Sequence, residues 1–348
     1  MNVIRSVFKD PLGAFGLIVI AFAAIVGIGA YLLIPDKSTH ANEMHLALAN
    51  LSPGSEVKFI TQKELNHENI WQRFWSGEGS PARAIPVGTV KETKPQLVYR
   101  DYPLLEGPEK SLVKAGPSNY QIEIRRYWLG TDRFGRDMLS RLILGSRVSL
   151  SVGFLAVFIS LLIGIPLGSA AAYYGGWTDK VIQWLINVTW SIPGLLLVIA
   201  ITLALGKGFW QVFVAIGFTM WVEVARVTRG QILGIKEKEY VQAARVLGFS
   251  DWRIIWRHIL PNAMPPLIVI SAANFAAAIL IESGLSFLGV GAQPPMPTWG
   301  TMIKDHYSFL LVGKAYLAII PGLAIMLLVL AFMLVGNALR DVLDVRKA

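Results

Sequence analysis

The sequence predicts an all-α polytopic membrane protein with six transmembrane helices and a small α+β extracytoplasmic insert. Of its 348 residues, 54% are hydrophobic, and the mean hydropathy is +0.51, whereas soluble domains are less apolar. The apolar residues are gathered into six runs that polar segments separate. The chain has no cysteine, which excludes disulfides, thiol catalysis and metal sites with cysteine ligands.

The first run extends from Leu12 to Ile34 without a charged residue, and its 23 residues are enough to cross a bilayer. Arg5 and Lys9 precede it, as basic residues also precede the core of a signal peptide. Signal peptides have a shorter apolar core and a small-residue cleavage site, and "AYLLIPDK" offers no convincing one. We therefore expect a retained helix whose N-terminus is cytoplasmic.

Five more apolar runs follow. They cover Val148–Thr178, Val181–Gly206, Gly208–Val222, Pro265–Ile281 and Ala315–Leu339. The shorter runs must borrow from their flanks, because a crossing helix needs about 20 residues. Six spans place both termini on one side, and the Lys and Arg residues of the short loops concentrate there, which predicts cytoplasmic termini. The same rule accounts for the net charge of +9 without nucleic acid as a partner.

Residues 35–127 form the exception, because they are polar and too long for a simple connection. The stretches "EVKFI" and "QLVYR" alternate as strands do. "TQKELNHENIWQRFW" is typical of a helix that begins at a Thr61 cap, with Glu64 three residues later. These patterns predict a small folded lobe outside the cytoplasm.

The motif "GTDRFGRD" at 130–137 precedes the second span. It is not a phosphate-binding P-loop, because no G-x-x-x-x-G-K-[ST] occurs in the chain. Asp132 and Asp137 are too few for a calcium loop. We expect a structural turn in which Thr131 or Asp132 caps the next helix, with the arginines solvated or paired.

The least typical segment is "EYVQAARVLGFSDWRIIWRHILPNAMPP" at 239–266, which is basic and lies between two apolar runs. The pattern predicts one short helix that ends at Gly248, since glycine takes the left-handed conformation after a helix. Ser250 would cap a second helix, and Pro261 would stop it.

In that second helix, Trp252, Ile255, Trp256 and Ile259 recur at helical spacing and predict one apolar face. Amphipathicity alone leaves two interpretations open. The segment is either a helix that lies on the membrane surface or a docking element for a soluble partner.

Several ordered motifs resemble one family. "AARVLG" followed by "ILP" is similar to the EAA loop of bacterial ATP-binding-cassette (ABC) importer permeases. "WLGTDRFGRDMLSRLILGSRVSL", "LSFLGVGAQPPMPTWGTMI" and "NALRDVLDVR" resemble segments of the dipeptide/oligopeptide (and nickel) permeases. The resemblance covers residues 1–34 and 128–348. Two positions depart from the broad motif: Gln242 replaces its Glu, and His258 replaces its Ile.

This resemblance implies a type I ABC importer permease core. Residues 1–34 would hold the N-terminal tail and first span, and 128–348 the other five spans with a cytoplasmic coupling loop at 226–264. In such permeases a short helix of this loop inserts into a groove of the ATPase. The coupling residues that it implies here are Tyr240, Gln242, Ala243, Ala244, Gly248, Asp251, Trp252, Arg253, Trp256, Arg257 and Pro261.

Each residue type suits such a role. Ala243 and Ala244 would allow close approach, and Gly248 would form the elbow. Trp252 and Trp256 would anchor the loop to the transmembrane core or the partner. The two arginines of that helix, at 253 and 257, would meet acidic groups of the ATPase.

The resemblance also implies a complex in the bacterial cytoplasmic (inner) membrane. Its other members would be a second homologous permease, two ATP-binding subunits or domains, and an extracytoplasmic substrate-binding protein. ATP and Mg²⁺ would be used by the partner subunits, so this chain would bind no cofactor or metal and would not be an enzyme. The expected cargo is di- or oligopeptides, with nickel or another solute as the alternative.

Two other classes stay open at this point. An ion-coupled secondary transporter would need ionisable residues at mid-membrane, and these spans are almost free of charge. A membrane assembly or signalling protein would use the loop to dock something other than an ATPase. Asn274 and Glu282 are candidates for the substrate path, although Glu282 lies near the end of its run, where solvation or capping would explain it.

Overall fold

The computed structural model describes residues 2–62, 69–78, 83–93, 96–103, 108–113, 120–206 and 208–343. Its helices are α1 (Asn2–Val7), α2 (Pro11–Ile28), α3 (Ala30–Leu33), α4 (Ile70–Ser76), α5 (Met138–Tyr174), α6 (Gly176–Trp190), α7 (Gly194–Leu205), α8 (Phe209–Ile235), α9 (Glu239–Val246), α10 (Asp251–Ile254), α11 (Leu260–Phe287), α12 (Trp299–His306) and α13 (Tyr316–Leu343). Its strands are β1 (Ser55–Gln62), β2 (Arg83–Thr93), β3 (Gln96–Asp101), β4 (Lys110–Val113) and β5 (Tyr120–Tyr127). The described residues are therefore mostly helical with one small sheet, as predicted.

The predicted number of spans agrees with the helices. Within the described ranges, five are long and apolar enough to cross a membrane: Pro11–Ile28, Met138–Tyr174, Phe209–Ile235, Asp251–Phe287 and Tyr316–Leu343. α6 and α7 pass the same test only as a pair, and the chain bends by 92° between them. Counted as one broken span, they are the sixth. The sequence predicted one run there. Pro193 explains the break, because proline disfavours helical geometry in the residue before it.

Contact patterns divide the chain into two compact units. The first comprises 1–24, 149–293 and 322–348, and it contains α8 together with residues 149–174 of α5. A Cβ on Gly164 would lie 2.6 Å from Val224, and one on Gly168 would lie 2.4 Å from the Ala225 carbonyl oxygen. Small residues four apart let two membrane helices approach closely. Their association then depends on dispersion contacts, because the hydrophobic effect does not drive helices together within lipid.

The second unit comprises 25–148 and 294–321. It contains an antiparallel five-stranded sheet in the order β4-β3-β2-β1-β5. Phe59 and Val57 pack on one face with Leu48, and Ile60 packs on the other with Leu97. The strands predicted from "EVKFI" and "QLVYR" are confirmed as parts of β1 and β3.

The predicted Thr61 cap is wrong. Thr61 lies in β1, where its hydroxyl donates to the Gln121 carbonyl oxygen at 3.3 Å. Cross-strand pairing with β5 explains this, because the strand continues through Gln62. Residues 63–68, including Glu64, lie outside the described residues. The helical part of that prediction corresponds to α4, which begins at Ile70.

The "GTDRFGRD" motif is structural, but its capping residue differs from the prediction. The Asp137 carboxylate accepts from the Ser140 amide at 2.8 Å and so caps α5. Asp132 is fully buried and accepts from the Arg136 Nε at 2.6 Å and from the Phe134 amide at 2.8 Å. The predicted pairing of the arginines is confirmed at Arg136, whereas Asp132 stabilises the turn before the helix rather than capping it.

Candidate coupling site

The loop between α8 and α11 folds over a buried core of its own. Val241 and Ala244 of α9 pack with Ile254 and Ile259, and all four are almost completely buried. Ala172, at the end of α5, belongs to the same cluster. The loop is therefore a packed extension of the transmembrane helices.

Gly248 forms the elbow between α9 and α10. Its φ of +75° is left-handed, as predicted for the residue after a helix. The Gly248 amide donates to the Arg245 carbonyl oxygen at 2.9 Å, and the Phe249 amide donates to that of Ala244 at 3.2 Å. This pair of bonds is a Schellman motif, which satisfies the last carbonyls of α9.

Polar contacts tie both short helices to the end of α5. The Tyr173 hydroxyl donates to the Asp251 carboxylate at 2.7 Å, and the Lys236 Nζ donates to the Ala172 carbonyl oxygen at 2.9 Å. The Arg245 guanidinium lies 5.0 Å from the centre of the Tyr173 ring. Asp251 is thus a tether to the transmembrane core in this chain.

The predicted stop at Pro261 is wrong. Residues 255–259 form one π-helical turn, and the helix then continues as α11, so that one helical segment extends from Asp251 to Phe287. Pro261 lies in the first turn of α11, where its missing amide hydrogen costs little. Ser250 occupies the predicted cap position, but its side chain makes no capping hydrogen bond.

The predicted apolar face is also divided. Ile255 and Ile259 are buried, whereas Trp252 and Trp256 are 69% and 45% exposed. The two isoleucines pack in the cluster with Ala172 and Ile232, whereas the two tryptophans lie outside that cluster. The two indole rings lie 5.1 Å apart and face outward. They do not anchor the loop to the core of this chain.

An apolar and basic surface, here called the docking surface, remains uncovered on the loop. Val246 is 89% exposed and Leu247 is 71% exposed, and the tryptophan pair of the same loop is exposed as well. The other exposed members are Tyr240, Ala243, Gly248, Arg253, Arg257 and Pro261. Exposed apolar clusters of this kind mark interaction sites.

The other predicted residues serve the interior of the loop. Ala244 is buried, and Gln242 donates from its Nε2 to the Lys236 carbonyl oxygen at 3.2 Å. Sequence reasoning missed Val246 and Leu247. The available signal was their position directly before the Gly248 elbow, where a helix end leaves side chains without a covering neighbour.

The two substrate-path candidates lie in α11, and both are only 1% exposed. Glu282 is neither solvated nor a helix cap: its Oε1 accepts from the Ser286 hydroxyl at 2.6 Å inside the packed unit. The Asn274 Nδ2 has no hydrogen-bond partner among the described residues. Within this chain neither side chain faces an open surface.

Comparison with known proteins identifies the family. Residues 164–348 match the model described as "Binding-protein-dependent transport system inner membrane component". A glutathione transport system permease of Pectobacterium atrosepticum is 42% identical over 63% of this chain and 72% of its own length. A dipeptide transport system permease of Alkalihalophilus pseudofirmus is 39% identical over 74% of this chain and 84% of its own length.

Among solved structures, an inward-facing MetNI methionine ABC transporter is similar to 59% of this chain and 97% of its own, at 20% identity and a TM-score of 0.49. The family match covers just over half of the chain and includes the whole docking surface. The family model matches the packed membrane helices and the exposed loop between α8 and α11. The chain therefore belongs to the inner membrane components of binding-protein-dependent transport systems, as a multi-pass permease rather than an enzyme.

Proposed function

We propose that this permease forms half of the translocation pathway of an ATP-driven importer for di- or oligopeptides, and that its 226–264 loop docks a separate ATPase subunit. One observation carries the proposal: the docking surface is exposed, while the reverse side of the same loop is packed on transmembrane helices. A partner that binds this surface is mechanically connected to the membrane domain.

The path of that connection follows from the helix continuity. Trp252 and Trp256 lie on the same unbroken helical segment that reaches Phe287, with no hinge at Pro261. A displacement at the tryptophan pair is therefore transmitted along α11. The Asp251–Tyr173 bond carries the same displacement to α5. ATP drives transport in such a system only if it binds the inward- and outward-open states unequally.

The composition of the docking surface fits a protein partner. Tryptophan and arginine are enriched among the residues that dominate binding energies. Arg253 and Arg257 are exposed beside the tryptophan pair, so the ATPase groove should present apolar surface with carboxylates at its edge. ATP and Mg²⁺ would be bound by that partner, and no cofactor by this chain.

The cargo, the partners and the orientation in the membrane are parts of the same proposal. The relatives are named for dipeptide and for glutathione, a tripeptide, which favours short peptides as cargo. A second homologous permease, two ATPase subunits or domains and an extracytoplasmic binding protein would complete the importer. The distribution of basic residues favours cytoplasmic termini in a bacterial inner membrane, with residues 35–127 as an extracytoplasmic lobe and 128–348 as the core.

The first experiment tests ATPase docking. The chain is co-expressed with its genomic neighbours, purified in detergent and assayed for bound ATPase, as wild type and as the Trp252→Ala/Trp256→Ala double variant. A hot-spot side chain contributes about 2 kcal/mol to binding, so loss of both tryptophans should weaken docking by roughly 10³-fold. The matched control is Trp210→Ala, which removes a tryptophan of similar exposure at the start of α8.

The expected result is that the double variant remains monodisperse but recovers little ATPase, while Trp210→Ala recovers the wild-type amount. Equal recovery from all three proteins would contradict docking through this surface. Cargo is tested separately, in proteoliposomes that contain the complete complex. ATP-dependent uptake of labelled di- and tripeptides, unaffected by Ni²⁺, is the expected outcome, whereas uptake of Ni²⁺ alone would overturn the peptide assignment.

A further inference from the structure

A short helix of the 35–127 segment carries an unexplained aromatic face. In α4, Trp71 and Trp75 are 69% and 52% exposed, and Phe74 is half-buried beside them. At 3.6 residues per turn these three side chains lie within an arc of about 100°, with Arg73 on the opposite side. Such exposure of large apolar side chains indicates an interaction surface.

The position of this face relative to the bilayer follows from α5. Arg147 is the last charged residue before the uncharged run that starts at Val148, so it marks the end of the hydrocarbon-spanning part of that helix. A Cβ on Gly27 would lie 3.3 Å from the Arg147 backbone. Gly27 is one residue before the end of α2, so the first two spans reach the membrane–water boundary at the same level.

Helix α4 is fixed at that level by contacts with α5 and with α3, the short helix that directly follows the first span. The Arg147 Nη1 donates to the Trp75 carbonyl oxygen at 2.9 Å, and its guanidinium lies 4.6 Å from the centre of the indole ring. Gly77, directly after α4, packs so closely on Tyr31 that a Cβ would approach its ring to 2.5 Å. The aromatic face therefore cannot move away from the boundary without breaking these contacts.

We propose that α4 is an interfacial membrane anchor, whose Trp71, Phe74 and Trp75 face lies among the phospholipid headgroups of the leaflet at which α2 ends. Tryptophan is enriched at this depth because its ring is apolar and its N–H is polar. The neighbouring Leu32 and Leu33 of α3 are 70% and 55% exposed, so the apolar surface of the first span continues to the helix. The anchor holds the sheet-containing lobe at a fixed height on the membrane, independently of what the transporter carries.

The test uses spin labels, for which the absence of native cysteine is an advantage. The full-length chain, with the subunits that co-purify with it, is placed in phospholipid nanodiscs as Trp71→Cys or Arg73→Cys, each carrying a nitroxide. Collision with oxygen, which concentrates in lipid, is compared with collision with a polar nickel chelate. Lys91→Cys on β2 is the water reference, and Phe158→Cys on α5 is the lipid reference.

The expected result is an oxygen-to-nickel collision ratio at position 71 that is several-fold above that at 73 and between the two references. A ratio at 71 equal to that of the water reference would overturn the anchor. Low collision with both reagents at 71 would also overturn it, because that pattern means a protein subunit covers the face. If Trp71→Cys does not fold, a label at Trp75→Cys gives the same readout.

Discussion

Replacement of Gly248 by alanine isolates the conformational role of the elbow. The φ of this residue is +75°, and no heavy atom lies within 4 Å of a Cβ built on it. Alanine therefore creates no clash, and its whole cost is that of a left-handed L-residue, about 1–2 kcal/mol. The Schellman hydrogen bonds that end α9 require this left-handed conformation, so the substitution should destabilise them. The loop should therefore open more often.

The assay is hydrogen exchange of the α9 and α10 amides in the purified permease. A cost of about 1–2 kcal/mol corresponds to a roughly fivefold to thirtyfold increase in exchange rate if exchange requires the loop to open. Gly248→Asn should show a smaller increase, because asparagine tolerates the left-handed region better than alanine.

Gly230→Ala is the matched control, because it adds a methyl group in open space within the helical part of α8. There alanine should stabilise the helix by about 1 kcal/mol, the opposite sign. The reasoning would be refuted if Gly248→Ala left α9 exchange unchanged, or if Gly248→Asn and Gly248→Ala were equally fast.

Two further predictions concern the turn before α5. Asp132→Ala removes the carboxylate closest to the buried Arg136 and leaves only Asp305, at 3.9 Å, among the described residues. Loss of this buried partner should cost about 3 kcal/mol and lower the thermal midpoint in detergent. Asp101→Ala, at an exposed pair with Lys110, should leave the midpoint nearly unchanged, and similar midpoints for the two variants would contradict this. Burial raises the pKa of the Asp137 carboxyl from 3.8 to about 6, because the folded state favours the protonated form. The stability that Asp137 contributes is therefore fully present below pH 3.8 and is lost as the pH rises through 6. The stability of wild type relative to Asp137→Asn should therefore fall by up to about 3 kcal/mol between pH 4 and 7, and parallel melting curves across that range would disprove the assignment.

Local chemistry made several features of the coupling site predictable. Gly248 occupies the left-handed position after α9 because no other residue takes that conformation so readily. The apolar spans could also be predicted from the sequence, because every helix that crosses a bilayer must have a minimum length and hydropathy. Alternation alone predicted strands at 56–60 and 96–100, which lie within β1 and β3.

Other predictions failed where an adjacent element decided the outcome. Thr61 has a favourable pattern for a helix cap, but pairing of β1 with β5 places it in a strand. Pro261 is a helix breaker by itself, yet it falls in the first turn of α11, where proline is tolerated. Asp137, rather than Thr131 or Asp132, caps α5, because Asp132 is committed to the buried Arg136.

Composition, length and charge are properties of a segment alone, so they were enough to predict a polytopic membrane protein with a basic loop between α8 and α11. Its motifs also identified the permease family, which the comparisons confirmed. Tertiary structure decided which residues of the loop remain available to a partner. Ile254, Ile255 and Ile259 are buried against α5 and α8, while Val246, Leu247 and the tryptophan pair are not, although all are apolar. Burial depends on what lies opposite each side chain in space: the three isoleucines belong to the cluster with Ala172 and Ile232, and the other four side chains lie outside it.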